Sequence, residues 1–280
     1  MLPHQVALVS DTSVISFSSI SKLSAALQKQ AVRDLGPVWG VSATVDGFER
    51  LEDVPIGYWP IIVRDDIQAP GAAGFHTDDN GQPFSLVQAS PGWPLTASHE
   101  CLEMLVDPFG NRTVAGAPPP QATGTAAQLE RVVYLVEVCD PCESDTFAYP
   151  VNRIRLSDFI TPQYYDPDGN TGVRYSFRGT IQGPHTVLQG GYVSFGDPIT
   201  NEWFQIQFFG AQPETVSLGV LQTGGRSLRE TIDAAVRGRR RGYRTQPAVA
   251  AAAAVASVAG TARSSVGRAE SLRRNIQALK

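Results

Sequence analysis

Apolar positions change period several times along the first hundred residues. Residues 5–16, QVALVSDTSVIS, open as a near-continuous apolar run and read as a β-strand entering a turn. From Ile20 the spacing becomes helical, with Ile20, Leu23, Leu27, Ala31 and Leu35 on one face, Ser18 or Ser19 as N-cap, and Gly36-Pro37 as the stop. Two β-rich runs follow, VSATVDGFERL and GYWPIIVRD, the second with Trp59, Ile61 and Val63 alternating. The next stretch, QAPGAAGFHTDDNGQPFSLVQA, opens as a Gly/Pro loop, turns at Asp79-Asn80-Gly81 and ends in a short strand around Phe84–Val87. A helix around His99 then presents Leu102, Leu105 and Val106 as its apolar side and stops at Pro108. The expected order is β-α-β-β-β-α.

Beyond a Pro/Gly/Ala loop at 113–127, strand patterns dominate. LERVVYLVEVCD is a long one, followed by NRIRLSDFI, VRYSF and a hairpin, GGYVSFGDPITNEWFQIQFF, closed by Asp197-Pro198-Ile199-Thr200-Asn201. From Gly225 two basic helical stretches flank an alanine-rich run that buries little by itself. The expected class is α+β. A mixed sheet with two packed helices occupies residues 1–112, an antiparallel β extension completing the same domain occupies 113–224, and a basic helical tail occupies 225–280.

Charge separates tail from body. Residues 225–280 hold 12 Lys and Arg against 3 Asp and Glu, a balance of +9, so a net charge of −4 leaves −13 on the remainder. The whole chain is therefore not built as a nucleic-acid binder. The run RGRRRGYR can contact nucleic acid, an acidic protein surface or the acidic body itself, although such runs are more often solvated helix ends. The N-terminus lacks the basic and apolar regions of a secretory signal, and no stretch is apolar for about 18 residues. Three cysteines are too few for a disulfide scaffold, so a reduced, cytoplasmic or particle-associated setting is expected.

The candidate chemistry lies in TASHECLEMLVDP, an H-E-x-x-H motif with glutamate in the last position. Residues i and i+4 of a helix stand about 6 Å apart, close enough for His99 and Glu103 to share one zinc ion through nitrogen and oxygen. Glu100 can then serve as general base toward a water. Asp107, about 12 Å along the axis from His99, is too far to share that ion and suits a supporting role. The bland alternative is a solvated helix face. A second polar cluster, EVCDPCE, supplies candidates for a third ligand: Asp140 first, Glu137 next, and His76 third. His76 can equally bind substrate or a transition state from its loop, or simply bond to the Asp78/Asp79 turn. A lone Cys139-x-x-Cys142 is weak evidence for zinc or redox chemistry, and Cys101 is expected to face the core.

The blocks GFHTDDNGQPFSLV, TASHECLEMLVDP, VEVCDPCE, RLSDFITPQYY and GGYVSF…NEWFQI resemble, in order, those of a zincin-like protein group found in bacteria and their phages. The similarity runs from about residue 50 to 208, and the S-H-E-x-L-E-x-x-x-D-P block is its most specific part. The chain departs from that group at Cys142 and in its long basic tail. The resemblance implies a zincin-like fold, a zinc-metallopeptidase activity on peptide or protein substrates, His99 and Glu103 as ligands, and Glu100 as base. The rival expectation is a non-catalytic protein of that fold, a structural or interaction component of a phage or other particle, with the tail as docking arm.

Overall fold

β1 (His4–Ser10) is sealed on both faces, with Val6 to Val9 fully buried, as befits a strand in the middle of a largely parallel sheet. The computed structural model describes residues 3–241. Among them the chain divides into two compact units, one from residues 3–36 and 41–109 and the other from 37–40 and 110–241.

In the first unit, α1 (Phe17–Lys29) starts a turn earlier than expected. Ser16, rather than Ser18 or Ser19, caps it by accepting the Ser19 N–H at 3.3 Å. Nor does the helical path stop at Gly36-Pro37. It widens into a π-helical segment, Gln30–Leu35, whose last bond runs from the Gly36 N–H to the Ala31 carbonyl, and the single turn α2 (Gly36–Trp39) follows. β2 (Ala43–Phe48) and β3 (Trp59–Arg64) pair in parallel on either side of β1. β3 does not alternate, since Ile61, Ile62 and Val63 are all buried. The expected Gly/Pro loop contains a strand of its own, β4 (Gly74–Asp79), antiparallel to β5 (Gln82–Gln88). Asn80 and Gly81 join the two with φ of 51° and 80°, the conformation a two-residue type I′ hairpin requires. The sheet order is β2-β1-β3-β5-β4, with only β4 reversed. α3 (Trp93–Val106) follows, so the observed order is β-α-β-β-β-β-α around the minor turn α2.

The pleat of β4 decides what its residues meet. Phe75 packs with Val9, Ile62 and Leu86 on one face. His76 lies opposite Ser85, whose hydroxyl is 3.5 Å from Met104 Sδ, so this second face looks toward α3.

The second unit is built on an antiparallel sheet in the order β12-β11-β10-β7-β6. β6 (Thr113–Gly116) lies in the stretch expected to be loop, and β7 (Val132–Leu135) covers only four residues of the long strand expected at 129–140. Val136 and Val138 are buried without belonging to a strand, which an apolar run cannot reveal. β8 (Tyr149–Val151) and β9 (Ile154–Leu156) form a separate hairpin, and VRYSF supplies only a bridge from Ser176 to Ile160. β10 (Tyr192–Gly196) and β11 (Glu202–Gln207) form the expected hairpin, followed by the unexpected β12 (Glu214–Val220). α4 (Leu228–Arg241) packs Leu228 and Ile232 against Leu135, Trp203 and Leu218. The fold is α+β. The rest of the expected tail, with its alanine-rich run and last basic helix, lies outside the described residues. No helix among the described residues is long and apolar enough to cross a membrane.

Candidate metal centre

α3 is buried almost all round. Ala97, Ser98, Glu100, Cys101, Leu102, Glu103, Met104, Leu105 and Val106 are all inaccessible. A solvated helix face would leave its carboxylates in water, yet Glu100 is 3% exposed and Glu103 is 0% exposed. Carboxylates are rarely this buried without compensating charge or donors, because desolvation penalises the ionised form heavily. Gly92 caps the helix start and Pro94 occupies its first turn, while Asp107 closes the end with its N–H on Glu103 O at 2.7 Å.

His99 and Glu103 meet as their i,i+4 spacing predicts, with Nε2 3.2 Å from Oε1. The His99 side chain is 12% exposed and marks the more open end of the group. His76 comes in from β4, not from a loop. Its Nε2 lies 3.0 Å from the Asp107 carbonyl, which can only accept, so Nε2 carries the proton and donates. Its Nδ1 faces Glu100 Oε2 at 3.4 Å and Glu103 Oε2 at 3.8 Å. Asp107 thus contributes through its backbone carbonyl.

Two neighbouring contacts hold this arrangement. A Cβ built on Gly74 would come within 2.6 Å of Thr96 Cγ2 and 3.0 Å of Glu100 Oε1, so only glycine lets β4 lie this close to α3. Ser98, one residue before His99, donates to Gln30 Oε1 at 2.8 Å, both side chains being fully buried. That bond ties α3 to the start of the π-helical segment.

These groups can hold a metal ion. Ligand atoms on a tetrahedral zinc with bonds of about 2.0–2.2 Å stand about 3.3–3.6 Å apart. The observed separations of 3.2, 3.4 and 3.8 Å bracket that spacing. His76, Glu100 and Glu103 form a wholly buried set of three donors. A hydrogen bond alone would also explain the His99–Glu103 distance.

Asp140 and Glu137 belong to the second unit. Asp140 is buried and opens the short turn Asp140–Cys142, and Glu137 is 3.7 Å from Arg229, beyond the end of β7 rather than on a strand. The choice of Asp140 as third ligand stays an inference from the sequence. The three cysteines are buried thiols outside any disulfide, and burial pushes the Cys101 thiol up to about 12, which makes it inert. His76 was the residue hardest to place from sequence, although the Asn80-Gly81 hairpin signal pointed to strands on both sides of it. No family model, curated protein or solved structure matches the chain.

Proposed function

We propose that the chain is a zinc-dependent peptidase, with His99 and Glu103 as ligands on α3 and Glu100 as the proton acceptor. The observation that carries this reading is the burial of Glu103 within 3.2 Å of His99 and beside Glu100 and His76. Bound zinc supplies a Lewis acid that acidifies water and polarises a carbonyl. The chain's own residues supply the rest. Glu100 takes the proton from the attacking water and returns it to the leaving amine. His76, fixed by its Nε2–H on the Asp107 carbonyl, stands beside the Glu100 carboxylate, with Nδ1 3.4 Å from Oε2. Glu103 itself is 0% exposed, so bulk water does not reach it.

The test is cleavage of a peptide library by the zinc-loaded protein. The proposal expects turnover that Glu100→Gln lowers by about 10²–10⁴-fold, the range for loss of a general acid–base group. The absence of turnover in the wild type contradicts it. One observation favours a second reading, a metal staple in a non-catalytic structural protein: Glu100 is itself 3% exposed, and closed sites are typical of structural zinc. That reading expects zinc to raise the melting temperature with no turnover at all.

A further inference from the structure

We propose that the first unit holds a second divalent ion, on His76 Nδ1, Glu100 Oε2 and Glu103 Oε2, with the Glu103 carboxylate spanning this position and the one at His99. The inference rests on the peptidase reading for the bridge, because Glu103 and Glu100 belong to both sites and His76 Nδ1 is the one ligand atom the second position adds.

Its first support is the orientation of His76. An imidazole that binds a metal nearly always hands its other N–H to a carboxylate or backbone carbonyl, which fixes the tautomer and raises the basicity of the ligating nitrogen. His76 does this through Nε2 on the Asp107 carbonyl, inside the protein, and so points Nδ1 at the two carboxylates. The second is electrostatic. Glu100 and Glu103 are three residues apart on one helix, hence neighbours, and both direct Oε2 at the same nitrogen. Two carboxylates so close and so buried favour a cation between them. The third is the division of labour in Glu103, whose Oε1 faces His99 while its Oε2 faces His76. A carboxylate used through both oxygens is how two ions come to stand about 3.5–4 Å apart in two-metal hydrolytic sites.

One imidazole and two carboxylates suit a divalent ion that accepts nitrogen and oxygen together, zinc first, with manganese able to take the carboxylate-rich position. Gly74 belongs to the same construction, because any side chain there would push Glu100 off its position. Glu100 then serves the second ion through Oε2, in addition to its part in proton transfer.

The experiment is a titration of the metal-free full chain with Zn²⁺ against a chromophoric chelator, for the wild type, His76→Gln and His99→Gln. The proposal expects two ions in the wild type and one in each variant. A single ion lost with His99 but kept with His76→Gln overturns the inference and leaves the peptidase reading intact. A single ion lost with His76 but kept with His99→Gln upholds the second position and overturns the His99 ion. No ion in the wild type overturns both. Because His76 is buried and its variant can fail to fold, a second measurement uses the wild type alone. Mn²⁺-loaded protein should give the electron paramagnetic resonance spectrum of a spin-coupled pair, and the spectrum of an isolated Mn²⁺ overturns the second position.

Discussion

Gly74 and His76 do more to shape the site than their composition suggests. Any larger residue at 74 meets Thr96 Cγ2 at 2.6 Å, closer than real Cβ contacts come, and a β-branched side chain in a helix has few rotamers through which to give way. Gly74→Ala should therefore destabilise the chain by about 1–3 kcal/mol, the usual cost of overpacking, and lower the melting temperature accordingly. An unchanged melting temperature would show that β4 does not lie against α3 as described. At this scale the sequence was legible where spacing carries the geometry. His99, Glu100 and Glu103 could be named because a helix places i and i+4 together whatever surrounds it. His76 could be named but not placed. Its neighbours Thr77, Asp78 and Asp79 include residues that strands avoid, and only the cross-strand register with Ser85 turns it toward α3.

Between elements, the site helix is anchored at its middle. Ser98 and Gln30 pair where α1 gives way to the π-helical segment, and π-turns often mark functional positions. Ser98→Ala leaves the Gln30 oxygen without this donor and should cost about 1 kcal/mol, or up to about 3 kcal/mol if the oxygen stays dry. Chemical denaturation would measure it. A neutral result would mean that α3 is held by packing alone. Elements with a strong single period were legible, as α1 and the β10–β11 hairpin show. Both strands β3 and β7 were expected, but the alternation of β3 and the length of β7 were misread for one shared reason. Burial on all sides erases alternation in β3, and in 136–138 it makes irregular backbone look like strand. α3 shows the same limit, being apolar beyond the one side its sequence displayed.

For the molecule as a whole, acid sensitivity should come partly from His185 in the second unit. It is buried, adopts a φ of 56°, stacks on Tyr134 with ring centroids 4.9 Å apart, and meets Tyr164 edge-on. Burial pushes its pKa down to about 4, against the pull of the Tyr165 carbonyl and Asp166. Between the ordinary histidine value of about 6.5 and this lowered one, the unfolded chain takes up a proton that the folded chain refuses, so stability falls as pH drops through that window. His185→Asn, a residue that tolerates positive φ, should flatten the melting-temperature profile between about pH 6.5 and 4. Parallel profiles for the two proteins would contradict this. The α+β class was legible from sequence, as was the helix on which the candidate ligands His99 and Glu103 meet. The number of compact units was not, because contacts distant in sequence define them. The central claim is that α3 carries a metal centre. Elemental analysis of the purified wild type beside a His99→Ala/Glu103→Ala double variant, both supplied with zinc and freed of excess, tests it most directly. The account predicts stoichiometric zinc in the wild type and none in the variant. Zinc in neither protein, or equal zinc in both, would contradict it.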